Sequence, residues 1–186
     1  MRKLMVFNLM SLDGFIADSR GDMSWAHKQD PEWAAFVREN AGGGGELVFG
    51  RITYQMMAGY WPRPQAIQSN PAVAEGINRS PKVVFSRTLA EASWNNTKLV
   101  KDDMPGEIRK MKSLPGPVMV IMGSGSIVSQ LAEEGLIDEF QMVVSPIVLG
   151  KGRTLFETLT RKRGLQRTAA RTFQNGNVLL SYEPAT

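Results

Sequence analysis

Five short, mostly apolar runs, at residues 4–10, 46–49, 82–85, 117–122 and 140–144, limit more than any other feature what this chain can become. Each is too continuous for a strand with one wet face, which would alternate, and too short for a helix or a membrane span. Such runs need cover on both faces. The cover is written between them: residues 31–40 carry Trp33, Phe36 and Val37 at helical spacing behind Asp30-Pro31, and further helices are predicted from Gly50-Arg51, over 72–78, over 105–113 and over 127–134.

Residues 165–173 and 178–183 read as two long strands joined through Gln174-Asn175-Gly176-Asn177, whose Asn-Gly pair is a strong hairpin signal. A short strand is also expected at 98–100. Strands alternating with helices and closing on an antiparallel hairpin give an α/β class with a mainly parallel central sheet. The 186 residues, 42% hydrophobic and 22% charged, suit one domain over 1–186. No internal repeat is visible.

Composition narrows the chemistry. With no Cys there is no disulfide framework, thiolate metal site or cysteine nucleophile, and a single histidine, His27, read as a loop residue, argues against a zinc site or a Ser-His-Asp triad. The net charge of +4 comes mostly from the C-terminal half, where Lys151, Arg153, Arg161, Lys162, Arg163, Arg167 and Arg171 face only Glu157. That reads first as a solvated face and second as attraction for an anion; no interleaved aromatics suggest nucleic acid. Asn8 and Asp13 interrupt the N-terminal apolar run before a signal or membrane segment forms, so a cytoplasmic protein with no membrane partner is expected.

Two places run from a strand through a tight turn into a helix: Phe49-Gly50-Arg51-Ile52-Thr53 and Met122-Gly123-Ser124-Gly125-Ser126. Both would turn free backbone N–H groups and a helix dipole toward an anion, although Thr53 and Ser126 also read as plain N-cap residues. Arg51 and Ser86-Arg87 follow strands at what would be the carboxyl edge of a parallel sheet, where guanidinium groups suit a terminal phosphate. The Gly42–Gly45 run precedes a strand and reads as a connector. Among the carboxylates, Glu32 stands one helical turn before Phe36 and is a candidate for meeting a heterocycle or a proton. Asp13 reads as the turn residue of its Asp-Gly pair and is kept as a second catalytic candidate.

Taken in order, these segments resemble the dihydrofolate reductase superfamily, in particular the reductase domain of the bifunctional riboflavin-biosynthesis deaminase-reductase. The resemblance rests on Ser11-Leu12-Asp13-Gly14-Phe15-Ile16-Ala17, Gly50-Arg51-Ile52-Thr53-Tyr54, Val83-Val84-Phe85-Ser86-Arg87-Thr88, Met122-Gly123-Ser124-Gly125-Ser126, Leu136-Ile137-Asp138-Glu139, and Ser145-Pro146-Ile147-Val148-Leu149-Gly150-Lys151-Gly152 with Leu155-Phe156. It covers almost the whole chain and implies a three-layer dihydrofolate-reductase-like fold.

The same resemblance implies NADPH as hydride donor. Gly50, Arg51, Thr53, Ser86 and Arg87 would lie at the adenosine phosphates, Gly123, Ser124, Gly125 and Ser126 at the pyrophosphate, and Glu32 with Trp25 and Phe36 at a pyrimidine- or pteridine-like substrate. Two departures stand out: the pair that customarily carries a cis peptide, Gly-Gly in the family, is Gly123-Ser124 here, and the resemblance covers the reductase half alone. Dihydrofolate reduction and nucleotide binding without catalysis stay open as alternatives. A homodimer is expected from the resemblance and from the apolar surplus of Met142, Val143, Val144, Ile147, Val148, Leu149, Val178, Leu179 and Leu180, more than a half-exposed edge strand would need.

Overall fold

The computed structural model describes residues 1–26 and 30–185, so the reading of His27 lies outside the described residues. Along the chain the elements are β1 (Leu4–Ser11), β2 (Phe15–Asp18), a 3-10 turn (Ser24–Ala26), α1 (Pro31–Gly42), β3 (Glu46–Gly50), α2 (Arg51–Ala58), α3 (Pro64–Ser69) and α4 (Pro71–Arg79). They continue with β4 (Lys82–Phe85), β5 (Thr97–Val100), α5 (Met104–Ser113), β6 (Met119–Met122), α6 (Gly125–Glu133), β7 (Glu139–Ser145), β8 (Gly152–Thr154), β9 (Leu165–Thr172) and β10 (Val178–Pro184).

The apolar runs became the interior of one eight-stranded sheet in the order β5-β4-β3-β6-β1-β7-β10-β9, with β2 and β8 as a separate antiparallel ribbon. The first six strands in that order are parallel, and β10 and β9 close the sheet antiparallel. Side-chain alternation divides the core between the two faces. Leu4, Val6, Met119 and Ile121 pack with Ile108 of α5 and Leu131 of α6. Leu47, Phe49 and Val84 pack with Tyr54 of α2 and with Val73 and Ile77 of α4, while Trp33 and Phe36 of α1 close over Val143, Phe173 and Leu179. This is the expected α/β architecture.

The structure differs from expectation in three places. Residues 65–69, too polar to show a helical stripe, form most of α3 because Pro64 and Pro71 each start a helix and leave a break between them. The β2–β8 ribbon joins segments more than 130 residues apart, a pairing no local pattern encodes. Finally, the apolar surplus is covered from within only in part: β7 lies between β1 and β10, and Met142, Val143 and Leu179 are buried, while Val144, Ile147, Leu149, Val178 and Leu180 are half-buried and Val148 is exposed. The strand that is exposed along its whole length is β9, at the sheet edge.

Two contacts hold the layers in register. A Cβ at Gly76 would stand 2.3 Å from the Ala41 carbonyl oxygen, so α4 lies against the end of α1 only because residue 76 has no side chain. At the start of β4, buried Lys82 donates from Nζ to the carbonyls of Asn78 (3.0 Å), Ser80 (2.7 Å) and Asn95 (3.2 Å), beneath the Trp94 ring. Burial lowers its ammonium pKa to about 8. The folded state therefore releases this proton before the unfolded chain does, and the contribution of Lys82 to stability rises as pH climbs from about 8 toward 10.5. Urea denaturation across that interval should show the rise in the wild type, and Lys82→Met should lack that component.

Candidate functional site

Two strand ends build the site. β3 stops at Gly50 and β6 at Met122, and each leads within three residues into a helix, α2 from Arg51 and α6 from Gly125. The turns are tied to each other through one hydroxyl: Ser124 Oγ accepts from the Gly50 N–H at 2.8 Å and donates to Thr53 Oγ1 at 2.9 Å. Ser124 and Gly50, not Ser126 and Thr53, are the N-cap residues. Neither caps its helix with a side chain, because Ser124 Oγ is engaged across the sheet and glycine has none to offer. The first-turn N–H groups of two helices are thus left without intrahelical acceptors around one space.

The path between the turns is made by glycine. Gly123 and Ser124 both lie in the left-handed region, φ +67° and +62°, and all peptide bonds among the described residues are trans, so the Gly123–Ser124 bond lacks the customary cis form. A Cβ on Gly50 would come 3.0 Å from Ser124 Oγ, one on Gly123 3.1 Å from Thr53 and one on Gly125 2.7 Å from the Thr154 carbonyl oxygen. The cradle is closed at its back to any side chain.

In front of it runs a groove of about 1750 Å³. At one end Arg51, Ser86 and Arg87 line it with Lys101 and Asp102, since β3 and β4 are neighbours and end together. Arg87 Nε is 4.0 Å from the Asp102 carboxylate, and both side chains are more than four-fifths exposed, a pair too loose to compete with a bound anion. At the other end the walls are apolar: Met5, Phe7 and Leu9 of β1 with Trp33, Ala34 and Val37 of α1. Asn8, Arg153 and the buried carboxylate residue Asp30 also line it. Asp30 caps α1 through the Glu32 N–H at 2.9 Å and accepts from the Asn175 N–H at 3.0 Å.

All nine residues expected at the cofactor, Gly50, Arg51, Thr53, Ser86, Arg87 and Gly123 through Ser126, line this one groove. The four residues expected at catalysis and substrate are not brought there. Glu32 is half-exposed and accepts from Arg171 Nη2 of β9 at 3.0 Å, because the 100° step of the helix gives the groove flank to Trp33, Ala34 and Val37. Phe36 is buried against Trp33, Phe173 and Phe7, backing the wall. Trp25 donates from Nε1 to the Asp22 carbonyl at 3.2 Å. Asp13 clamps the loop after β7, accepting from the Ser11 hydroxyl at 2.6 Å and from the N–H groups of Leu149 and Gly150 at 3.1 and 2.7 Å, contacts that hold its carboxyl below the usual range.

Groove residues that sequence reasoning left aside as site members include Asn8, Asp30 and Arg153. Asn8 showed only as the polar interruption of an apolar run, Asp30 only as a cap, and Arg153 only as one member of a basic stretch.

Residues 2–179 match the model of the RibD C-terminal domain family. The chain belongs to that family. The chain is also similar to the "uncharacterized protein YyaP" of Bacillus subtilis strain 168, 27% identical over 183 residues that make up 97% of this chain and 94% of that one. A protein of Shewanella sp. PV-4, provisionally assigned to riboflavin biosynthesis, superposes with a TM-score of 0.74 at 25% identity over 99% of both chains. A dihydrofolate reductase of Enterococcus faecalis solved with NADP(H) shares the fold, with a TM-score of 0.67 at 16% identity over 99% of this chain and 97% of that one. The chain thus has a dihydrofolate-reductase-like fold, and among the described residues no helix is long and apolar enough to cross a membrane.

Proposed function

We propose that this protein is an NADPH-dependent reductase of a pyrimidine- or pteridine-like ring. The observation that carries the reading is the pair of helix N-termini locked together by Ser124 Oγ between Gly50 and Thr53. Two sets of first-turn N–H groups around one glycine-lined space suit a diphosphate, whose charge the dipoles favour. Arg51, Ser86 and Arg87 would hold a 2′-phosphate at the adenosine end by charge-assisted hydrogen bonds. NADPH bound along this path supplies the hydride.

The chain's own part is binding, orientation and dryness. Met5, Leu9, Trp33 and Val37 offer a flat ring apolar walls that keep water from the reacting face. Asp30 is a buried carboxylate in the substrate half of the groove; each oxygen already accepts one backbone N–H and keeps a lone pair for a ring N–H, so it orients the heterocycle. Family membership and the NADP(H)-bound neighbour support this reading, and the exposed edge strand β9 is the surface through which a homodimer would form.

The test is NADPH oxidation with a ribosylamino-pyrimidine, dihydrofolate and no substrate, each in parallel. Turnover with the pyrimidine substrate supports the proposal and turnover with dihydrofolate alone favours the folate alternative. Tight NADPH binding with no turnover on either would leave a nucleotide-binding module.

A further inference from the structure

Asn8 has the chemistry of a ligand contact without a ligand. It lies on the face of β1 that carries Leu4 and Val6 into the core, is 3% exposed, and its Oδ1 has no hydrogen-bond partner. Buried amides are normally paired, and an apolar side chain would serve the packing here better. Among the described residues, unpartnered buried side-chain atoms also occur on Ser145 and Asn177, but of the three only Asn8 lines the groove. It stands one residue beyond the last β1–β6 pair, Phe7 with Met122, so its neighbour on that side is the Gly123 turn itself.

Strand order says what reaches Asn8. Starting from Ser86 and Arg87 after β4, the groove crosses Arg51 after β3, then the Gly123–Ser126 turn after β6, then Asn8 on β1. Those are three inter-strand steps, about 14 Å in all. On the reading proposed above, the phosphorylated adenosine lies at the first two strands and the diphosphate at the third. The far end of the dinucleotide, the nicotinamide, then arrives at the fourth. A primary carboxamide pairs with another through two antiparallel N–H···O=C bonds, each donor matched by an acceptor.

We propose that Asn8 is a specificity residue for the cofactor's reacting end: its Oδ1 accepts from the nicotinamide carboxamide N–H, and its Nδ2 donates to the carboxamide oxygen. Asn8 thereby sets which way the ring faces the apolar half of the groove. This rests on the NADPH reading and extends it to a residue that neither composition nor motif singled out.

Equilibrium titration of the full chain, without turnover, tests it with three probes: NADPH, its reduced 3-acetylpyridine analogue, in which a methyl ketone replaces the carboxamide, and adenosine 2′,5′-bisphosphate, which has no nicotinamide. The wild type should bind NADPH at least about tenfold more tightly than the analogue, the value of one lost hydrogen bond that leaves a buried partner unpaired. Asn8→Leu, close in shape, should erase that difference and leave bisphosphate affinity unchanged. Equal affinity of the wild type for NADPH and the analogue overturns the assignment whether or not the variant folds, as does an Asn8→Leu protein that keeps the preference. A wild type that binds neither NADPH nor the bisphosphate overturns the cofactor reading, and this assignment with it; bisphosphate binding together with an NADPH-over-analogue preference that Asn8→Leu leaves unchanged overturns the assignment alone.

Discussion

Replacing Arg51 and Arg87 together by alanine is expected to lower NADPH affinity about a hundredfold and to leave NADH affinity nearly unchanged. Each guanidinium would supply one charge-assisted hydrogen bond to a 2′-phosphate, worth about 1.5–3 kcal/mol. Both residues are exposed, which puts each at the lower end of that range and gives about tenfold apiece. The two are neighbours in space through the β3–β4 pairing, so the losses should fall on the same group of the ligand. Fluorescence titration with both cofactors measures this directly. A doubly substituted protein that still prefers NADPH would mean that the phosphate is held elsewhere, with Lys101 and Arg153 the next cations along the groove.

Gly76→Ala is expected to be strongly destabilising. The new Cβ would sit 2.3 Å from the Ala41 carbonyl oxygen and 2.8 Å from its carbon, and backbone cannot rotate away as a side chain can. α4 must then lift from α1, loosening Val73 and Ile77 over Phe49 and Val84. Overpacking of this kind costs about 1–3 kcal/mol and at times more, against about 1 kcal/mol regained from the better helix propensity of alanine. A net loss of about 2 kcal/mol should appear as a lower urea midpoint at unchanged slope. Because α1 carries Trp33 and Val37, the same variant should also weaken substrate binding more than cofactor binding. An unchanged midpoint would show that the two helices are free to separate.

The strands and most helices were legible because their signals are local. The 4–10 and 117–122 runs can only be buried strands, Asp30-Pro31 can only open a helix well, and Asn175-Gly176 tightens a hairpin whichever fold surrounds it. The cofactor half of the site was legible for the same reason. A strand, a glycine turn and a helix in sequence already fix where N–H groups point, so Gly50, Arg51, Thr53 and Gly123 through Ser126 came to one groove as read.

The substrate half was not legible, because it depends on which flank of α1 meets the groove and which meets β9. Glu32, Trp33, Phe36 and Val37 all satisfy a helical pattern, and a rotation of one residue, 100°, exchanges their roles. That rotation is set by the packing of Trp33 and Phe36 against Phe173, just past the end of β9, 137 residues further along the chain from Phe36 and drawn near by the β7–β10–β9 pairings. Asp13, likewise, became a clamp on Leu149 and Gly150 because the loop after β7 happens to pass over it. By itself, then, the sequence determined the elements, the parallel sheet and the anion cradle, each a matter of residues near in the chain; only the tertiary structure decided which carboxylate, which aromatic ring and which buried amide face the groove, since side chains are aimed by neighbours that the chain brings from far away.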